Sequence, residues 1–448
     1  MTMPPGPRGW ETLGFFGGGS AAGVLAFLVK TSRRYGPVAG FRALGARIYI
    51  IDEPALIEEI LVRRQHLFVR DTGATLLREL VGDGLLTSEE PRHRARRRMV
   101  QPAFHRAQIA TYADAMVDEA ARMADAWAAL PSVDVGAEMR RLTLAVVGSA
   151  LFGSDTRAAA DAVAAALQRV TRKGAAIAPL LALCEPLVLS YRRRFPTAPS
   201  LFFRAERREL EAVIAPIVAQ RRVAGGRDIV SLLLAERDEH GGALDAQDIL
   251  NEVATFVLAG HETTAAALTW AWYLLATHPA AARKLHAELD AVLGNRNPTL
   301  ADIAQLTYTA AVFSETLRLY PPAPAFGRRP IADVTLGGYT IRRGSSIFLS
   351  PYVTQRNPRW FPDPDAFLPD RWTAAAPLKF SYFPFGGGAK MCIGESFSKL
   401  EGVLVLATFA RRLRLSMIGD ATVGRTPGAA LRPDRPIVLR PAIRQSII

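Results

Sequence analysis

Cys392, one of two cysteines in the chain, sits in a setting that suits a metal-binding sulfur. The segment Phe385-Gly386-Gly387-Gly388-Ala389-Lys390-Met391-Cys392-Ile393-Gly394 puts it after a glycine-rich hairpin. An apolar stretch that reads as a long helix then runs from Glu395 into Phe409. A helix N-terminus carries partial positive charge, so a thiol placed there is expected in its deprotonated, ligating form. Phe385 can shield the sulfur on one side, and Gly388 and Gly394 remove side chains where a flat ligand would have to come close. A lone cysteine is most often a buried structural residue beside a turn. The ten-residue pattern, rather than the cysteine, argues against that here.

Three further constellations could do chemistry or support it. Ala259-Gly260-His261-Glu262-Thr263-Thr264 lies inside a predicted long helix, where glycine costs about 1 kcal/mol relative to alanine. Thr263 is placed to hydrogen-bond the carbonyl of Ala259 and loosen the helix locally. An acid beside an alcohol, Glu262 and Thr263, supplies a proton donor and a relay. In Glu315-Thr316-Leu317-Arg318 a carboxylate and a guanidinium share one helix face, and Phe367-Leu368-Pro369-Asp370-Arg371-Trp372 offers a third charged member in Arg371. Finally, His93 and Arg97 stand four apart on a helix face ahead of Pro102-Ala103-Phe104. Guanidinium forks suit carboxylates. Their neighbours Arg94, Arg96 and Arg98 are expected to point elsewhere, into solvent.

These segments, in this order, resemble the defining motifs of the cytochrome P450 superfamily, and the resemblance runs from Pro4-Pro5-Gly6-Pro7 to beyond Cys392. It implies heme b as cofactor, with Cys392 as the axial iron ligand and Phe385 beside it. His93, Arg97, Arg328 and Lys390 are the implied partners of the heme, with Arg329 as the rival of Arg328 for a propionate. His93 stands where Trp is also common, and Lys390 where Arg or His is usual. Glu262 and Thr263 match the acid-alcohol pair that serves oxygen activation. Glu315, Arg318 and Arg371 match the Glu–Arg–Arg network that locks the meander beneath the ligand loop. Asp370 and Trp372 stand where Glu and Phe are commoner.

The implied fold is mainly α with a small β region, an α-rich prism holding the heme between the long central helix and the cysteine-ligand helix. The implied reaction inserts one oxygen atom of O2 into a hydrophobic substrate, by hydroxylation or epoxidation. A fatty acid, a terpenoid and a steroid are equally compatible. By the same resemblance the pocket walls fall near residues 70–90, 175–205, 255–264 and 424–430 and in Ala323-Pro324-Ala325-Phe326. Val257, Ala259, Ala325 and Phe326 make them apolar. A peroxide-dependent peroxygenase and a non-catalytic heme-binding sensor or carrier are the alternatives. The Glu262-Thr263 pair argues against both.

Composition sets the frame for these motifs. The chain has 448 residues, 49% of them hydrophobic, enough for a core able to bury a cofactor. A single catalytic domain over 1–448 is expected, with a proline/glycine-rich segment at 1–20 and no fused reductase. Electrons from NAD(P)H would then arrive through a ferredoxin or flavodoxin with its reductase. The net charge of +13 suits such an acidic partner. It would also suit nucleic acid or an anionic membrane, but no helix-turn-helix, zinc-finger or basic-aromatic signature supports nucleic acid. Two cysteines exclude a disulfide framework and point to a reducing, cytoplasmic setting. Glycines interrupt the apolar stretch from Leu13 to Val29, which falls short of about 20 continuous apolar residues, so no membrane anchor is expected. A soluble monomer follows from these readings.

The elements that must position the motifs are mostly helical. Apolar residues at helical spacing predict helices near 91 and over 21–34, 109–130, 137–152, 156–172, 201–222, 280–293 and 307–320. A longer one is expected over 246–277, capped by Asp245 and stopped by His278-Pro279. Short strands are expected at 38–42 and 47–51 and within 331–352, with an irregular proline-rich meander over 357–390.

Overall fold

The computed structural model describes residues 3–19, 21–43, 45–153, 169, 173, 203–224, 228–235, 244–373, 376–428 and 430–444. Cys184, most of the expected helix at 156–172 and the pocket segment up to residue 200 lie outside the described residues. The main helices are α1 (Ala21–Tyr35), α2 (Thr72–Val81), α3 (Arg92–Val100), α4 (Ala113–Trp127) and α5 (Val135–Leu151). They continue as α6 (Arg204–Ala224), α7 (Ala246–Thr277), α8 (Pro279–Leu293), α9 (Thr307–Leu319) and α10 (Glu395–Arg412). Among the described residues, no helix is long and apolar enough to cross a membrane.

The organising element is α7. Its 32 residues span about 48 Å at the standard helical rise. It is capped as the sequence predicts, with the Asp245 carboxylate accepting from Asp248 N at 2.6 Å. It ends at His278, whose ring Nδ1 lies 2.8 Å from the Leu274 carbonyl. Ala265–Leu268 and Trp270–Trp272 are buried on every face. A helix apolar all round belongs inside a large core, and α7 packs most extensively against α5, with α6, α9 and α10 also in contact. α10 in turn packs on α4, where Trp127 meets Phe409 edge-on at 4.8 Å between ring centroids.

Among the described residues, the strands form four separate small sheets. The largest sheet has the order β1-β2-β8-β5-β3, from β1 (Val38–Ala43), β2 (Ala46–Ile51), β3 (Phe68–Arg70), β5 (Phe326–Pro330) and β8 (Ser346–Leu349). β2 runs parallel to β8 and the other pairs are antiparallel. Hairpin β6–β7 (Val334–Leu336, Tyr339–Ile341) fills the turn-rich region expected before residue 352. A three-stranded sheet joins β4 (Val133–Asp134) to β12 (Val438–Ile443) and β9 (Leu413–Met417). β10 (Arg425–Thr426) and β11 (Arg432–Pro433) form a last hairpin.

The helix expected over 109–130 is broken. A short helix stops at Ala110 and α4 starts at Ala113. Between them the Thr111 hydroxyl donates to the Gln108 carbonyl at 2.7 Å, the local competition that makes threonine a poor helix residue. Tyr112 turns inward against Phe397 at 5.9 Å.

Candidate functional site

The loop carrying Cys392 is held by backbone geometry. Cys392 N donates to the Phe385 carbonyl at 3.0 Å, closing the hairpin. Gly386 and Gly388 adopt φ of 73° and 70°, which favours glycine. A Cβ on Gly388 would also lie 1.7 Å from the Leu61 carbonyl oxygen, so no larger residue fits. Gln65 accepts from Ala389 N at 2.8 Å, and the Lys399 ammonium lies 5.5 Å from the Phe385 ring centre. The Cys392 side chain is exposed to a probe yet lies deep among protein atoms, so it forms part of the wall of a cleft. Burial pushes its thiol up. The Gly394 backbone hydrogen bond and Arg97 draw it down without prevailing. Burial thus opposes the thiolate that a helix N-terminus favours. A coordinated metal cation would secure it, because ligation displaces the proton.

Two contacts bring α7 over this loop, and a third brings in β5. The Thr264 hydroxyl lies 3.2 Å from that of Ser398 on α10. A Cβ on Gly394 would sit 3.9 Å from both Cys392 Sγ and the Phe104 ring, and Phe104 packs against Phe256 of α7 at 5.7 Å. A Cβ on Gly386 would sit 3.9 Å from the Phe326 ring. Of the expected wall residues, Phe326 therefore lies beside the ligand loop. Val257 is buried, and Ala259, Ala325 and Phe326 are half-buried. The β10–β11 hairpin reaches them through Leu431, which donates to the Pro322 carbonyl and accepts from Trp270 Nε1, both at 2.9 Å.

Within α7 the Thr263 hydroxyl donates to the Ala259 carbonyl at 2.6 Å, the predicted bond, and the helix runs on without a break. Glu262 is buried, and neither carboxyl oxygen has a hydrogen-bond partner. Arg432 Nη1 of β11 lies 3.6 Å from its Oε2. His261 Nε2 lies 4.0 Å from its Oε1, in an imidazole that burial keeps neutral.

Cations ring the cleft. Arg97 Nη1 donates to the Met391 carbonyl at 2.7 Å, beside Cys392. His93 Nδ1 is 3.1 Å from Glu90 Oε1, and burial pushes its ring toward the neutral form. The buried Arg328 lies on β5 with its guanidinium 5.1 Å from the Phe326 ring centre. Lys390 pairs with Glu89, and burial lowers its ammonium. Glu89 also accepts from the backbone of Arg70 at 2.6 Å, which brings up a further, half-buried cation that the motifs did not reveal.

Arg96 corrects the sequence reading. Instead of pointing into solvent it is buried, donating to Glu252 at 2.7 Å and to Asp248 at 2.6 Å on α7. Glu252 also accepts from Leu85 N at 3.0 Å, so this pair pins the loop after α2 to the central helix. Burial opposes charge on Glu252 and raises it despite Arg96. One helical turn beyond Arg92, Arg96 meets α7 where its neighbours Arg94 and Arg98 are exposed.

The expected ion network is present and larger than expected. Arg318 grips Glu315 with two bonds of 2.8 Å, both side chains fully buried, and Arg371 Nε donates to Glu315 at 3.0 Å. Arg318 also donates to the carbonyls of Gln355, Pro364 and Ala366, which ties α9 to the meander. Trp372 joins it through its indole N–H, and Asp370 turns away to Lys284.

Comparison with known proteins agrees with this geometry. The family model described as Cytochrome P450 matches residues 4–440. The chain is 41% identical to cyclooctatin synthase of Streptomyces melanosporofaciens over 87% of its own length and 84% of the relative's. It is 34% identical to cyclooctat-9-en-7-ol 5-monooxygenase of the same organism, with the same coverage. Pentalenene oxygenase of Streptomyces avermitilis is 32% identical over 91% of this chain and 90% of its own. The family implies heme, and the residues fit it: a thiol on a deep cleft wall for iron, apolar walls for the macrocycle, cationic side chains at the rim for its carboxylates. The chain belongs to the cytochrome P450 family of heme-thiolate monooxygenases.

Proposed function

We propose that this chain oxidises a terpenoid, placing one oxygen atom from O2 on a carbon skeleton held against α7, with electrons from a separate ferredoxin or flavodoxin and its reductase. The supporting observation is that relatives 34% and 32% identical to this chain over most of its length are named for oxidising cyclooctat-9-en-7-ol and pentalenene, and that the expected pocket residues Val257, Ala259, Ala325 and Phe326 are apolar. A fatty acid or steroid would meet the same apolar surface, but the names of these relatives point to terpenoids.

Cys392 would hold heme b through its sulfur, with Phe385 packed beside the ligand loop and His93, Arg97, Arg328 and Lys390 placed for the propionates. When bound, the heme supplies the binding and reductive activation of dioxygen. The protein's part is to position, to keep water out and to meter protons. Val257, Ala325 and Phe326 would exclude water from the reacting carbon. Glu262, with Arg432 beside it, would take up protons for Thr263, whose hydroxyl proton is engaged by the Ala259 carbonyl and whose oxygen is left to accept. Glu315, Arg318 and Arg371 would keep the ligand loop in register from below. The whole chain would act as one catalytic unit.

Titrating the heme-loaded protein with a cyclic terpene, a fatty acid and a steroid tests the substrate class. The terpene should shift the heme spin state at the lowest concentration. A fatty acid or steroid that shifts it first would overturn the terpenoid reading. Turnover with reductase and NAD(P)H, compared with turnover on hydrogen peroxide alone, separates a monooxygenase from a peroxygenase.

A further inference from the structure

Asp71 is an acid that the scheme above leaves without a task. It stands between β3 and α2, the position from which an aspartate ordinarily caps a helix. Asp134 does so ahead of α5, accepting from Gly136 N and Ala137 N at 2.9 and 3.2 Å, and Asp245 does so ahead of α7. The Asp71 side chain makes no capping bond. It is turned across β5 instead: a Cβ on Gly327 would fall 1.9 Å from Asp71 Oδ2 and 2.3 Å from its carboxyl carbon. The carboxylate thus fills the place of a side chain at 327, and glycine there is what admits it.

The strand decides which way this acid faces. Successive side chains of an extended chain point to opposite faces, so Gly327 shares a face with Ala325 and leaves Phe326 and Arg328 on the other. Packing agrees. Ala325 rests against the large core that includes α7, and Phe326 against the smaller cluster of Phe380 and Phe383. Arg328 goes with Phe326, its guanidinium 5.1 Å from that ring centre. Asp71 therefore lies beside Ala325, on the face that the terpenoid reading gives to the substrate. It is half-buried, open to a ligand on one side. Burial raises its acid, while Arg328, the nearby N–H of Ala74, Arg329 and the N–H of Gly73 draw it back without prevailing. Among the described residues, no cation comes within ion-pair distance of it.

Ligand pockets are mostly apolar, with a few polar groups that fix orientation. A carboxylate shut in by a hydrocarbon is left without a partner, whereas a hydroxyl restores a strong charge-assisted bond. We propose that Asp71 is the polar anchor of the pocket, its carboxylate accepting a hydrogen bond from a hydroxyl of the substrate. The anchored hydroxyl then fixes which carbon is presented for oxidation. The ligand class narrows to a terpenoid alcohol, since a hydrocarbon offers no donor and an ionised carboxylic acid would be repelled. The carbon skeleton in this inference rests on the terpenoid reading; the hydroxyl does not.

Spin-state titration of the heme-loaded protein with cedrol and with cedrane, the same skeleton without its hydroxyl, tests the anchor. The wild type should bind cedrol about 10–100-fold more tightly than cedrane. Asp71→Ala should erase that preference by weakening cedrol while binding cedrane at least as well. Asp71→Asn keeps an uncharged acceptor and should retain part of it. A wild type without preference for the alcohol, or a preference that survives Asp71→Ala, would overturn the proposal. Should Asp71→Ala fail to bind heme, Gly327→Ala keeps the acid and sets a methyl where its carboxylate lies. It must then abolish the preference, or the proposal fails. A sterol and its deoxy analogue, titrated alongside, separate the anchor from the skeleton. If the sterol binds most tightly and its preference also vanishes in Asp71→Ala, the terpenoid reading falls and the anchor stands.

Discussion

The indole N–H of Trp372 donates to Glu315 Oε2 at 2.8 Å. With both bonds from Arg318, one from Arg371 Nε and one from Leu368 N, the Glu315 carboxylate receives five donors. An ionised carboxylate offers about four lone-pair positions, so this one is saturated. Trp372→Phe should keep most of the packing against Tyr382, 4.5 Å away between ring centroids, and lose the bond. The expected cost is about 1.5–3 kcal/mol, the usual range for a hydrogen bond to a charged group. Urea unfolding followed by circular dichroism reads it directly, and a change under about 0.5 kcal/mol would show that the indole is incidental.

Arg96 and Glu252 should behave as a unit. Removing the guanidinium in Arg96→Leu leaves a buried acid and an unsupported loop, at an expected cost of about 3–5 kcal/mol. Adding Glu252→Gln should recover part of that loss. The double-mutant cycle should give a coupling above about 1 kcal/mol. Arg94→Ala, at a position with its side chain 77% exposed, should change stability by less than about 0.5 kcal/mol. Equal effects from the two arginines would contradict the burial of one and the exposure of the other.

The contrast between those two arginines shows how far sequence reaches. The run of basic residues in Arg92-His93-Arg94-Ala95-Arg96-Arg97-Arg98 says that a helix is basic, not which side faces α7, because the partners Asp248 and Glu252 lie about 150 residues away in the chain. Likewise α7 was legible to the residue, since a cap, a long apolar run and a His-Pro stop are local signals. Strands β3 and β5 were not. Phe68–Arg70 has three residues, and Phe326–Pro330 contains glycine, two arginines and proline, so both are strands only because the sheet pairs them. In the site, Cys392, Thr263 and Glu315 announced themselves by motif. Glu401 had a weaker signal that deserved the same weight: a carboxylate in an otherwise apolar helix face.

Cys392→Ser should separate ligation from folding. The loop is fixed by the Cys392 N to Phe385 carbonyl bond and by Gly388 against Leu61, none of which uses sulfur. The variant should therefore fold with unchanged circular dichroism. Its reduced carbon monoxide complex should lose the red-shifted band typical of thiolate ligation, and substrate oxidation should fall below detection. Retained oxygenation would place the iron ligand elsewhere.

Ala325 offers a test of the pocket wall. It is half-buried in the segment that the β10–β11 hairpin braces through Pro322 and Leu431. Ala325→Leu adds three carbons to a wall that cannot retreat, a crowding that costs about 1–3 kcal/mol for a rigid ligand. A polycyclic terpene should bind about 10–100-fold more weakly by spin-state titration. A linear fatty acid, able to bend past the new side chain, should be affected less. Unchanged binding of both would place Ala325 outside the pocket.

The dependence of stability on pH should expose Glu401, a fully buried acid of α10. Its acid is raised in the folded protein, so between the ordinary value of 4.5 and its folded value the native state holds a proton that the unfolded chain has released. Stability is then fully supported below that window and falls as pH rises through it, by up to about 1.4 kcal/mol per pH unit. Glu401→Gln cannot titrate. Measured by urea unfolding from about pH 5 to about pH 8, the variant should gain on the wild type as pH increases, with the two curves closest at the acid end. Parallel curves would mean that Glu401 is ionised in the folded protein or paired with a cation, and the neutral acid beside Thr264 would have to be abandoned.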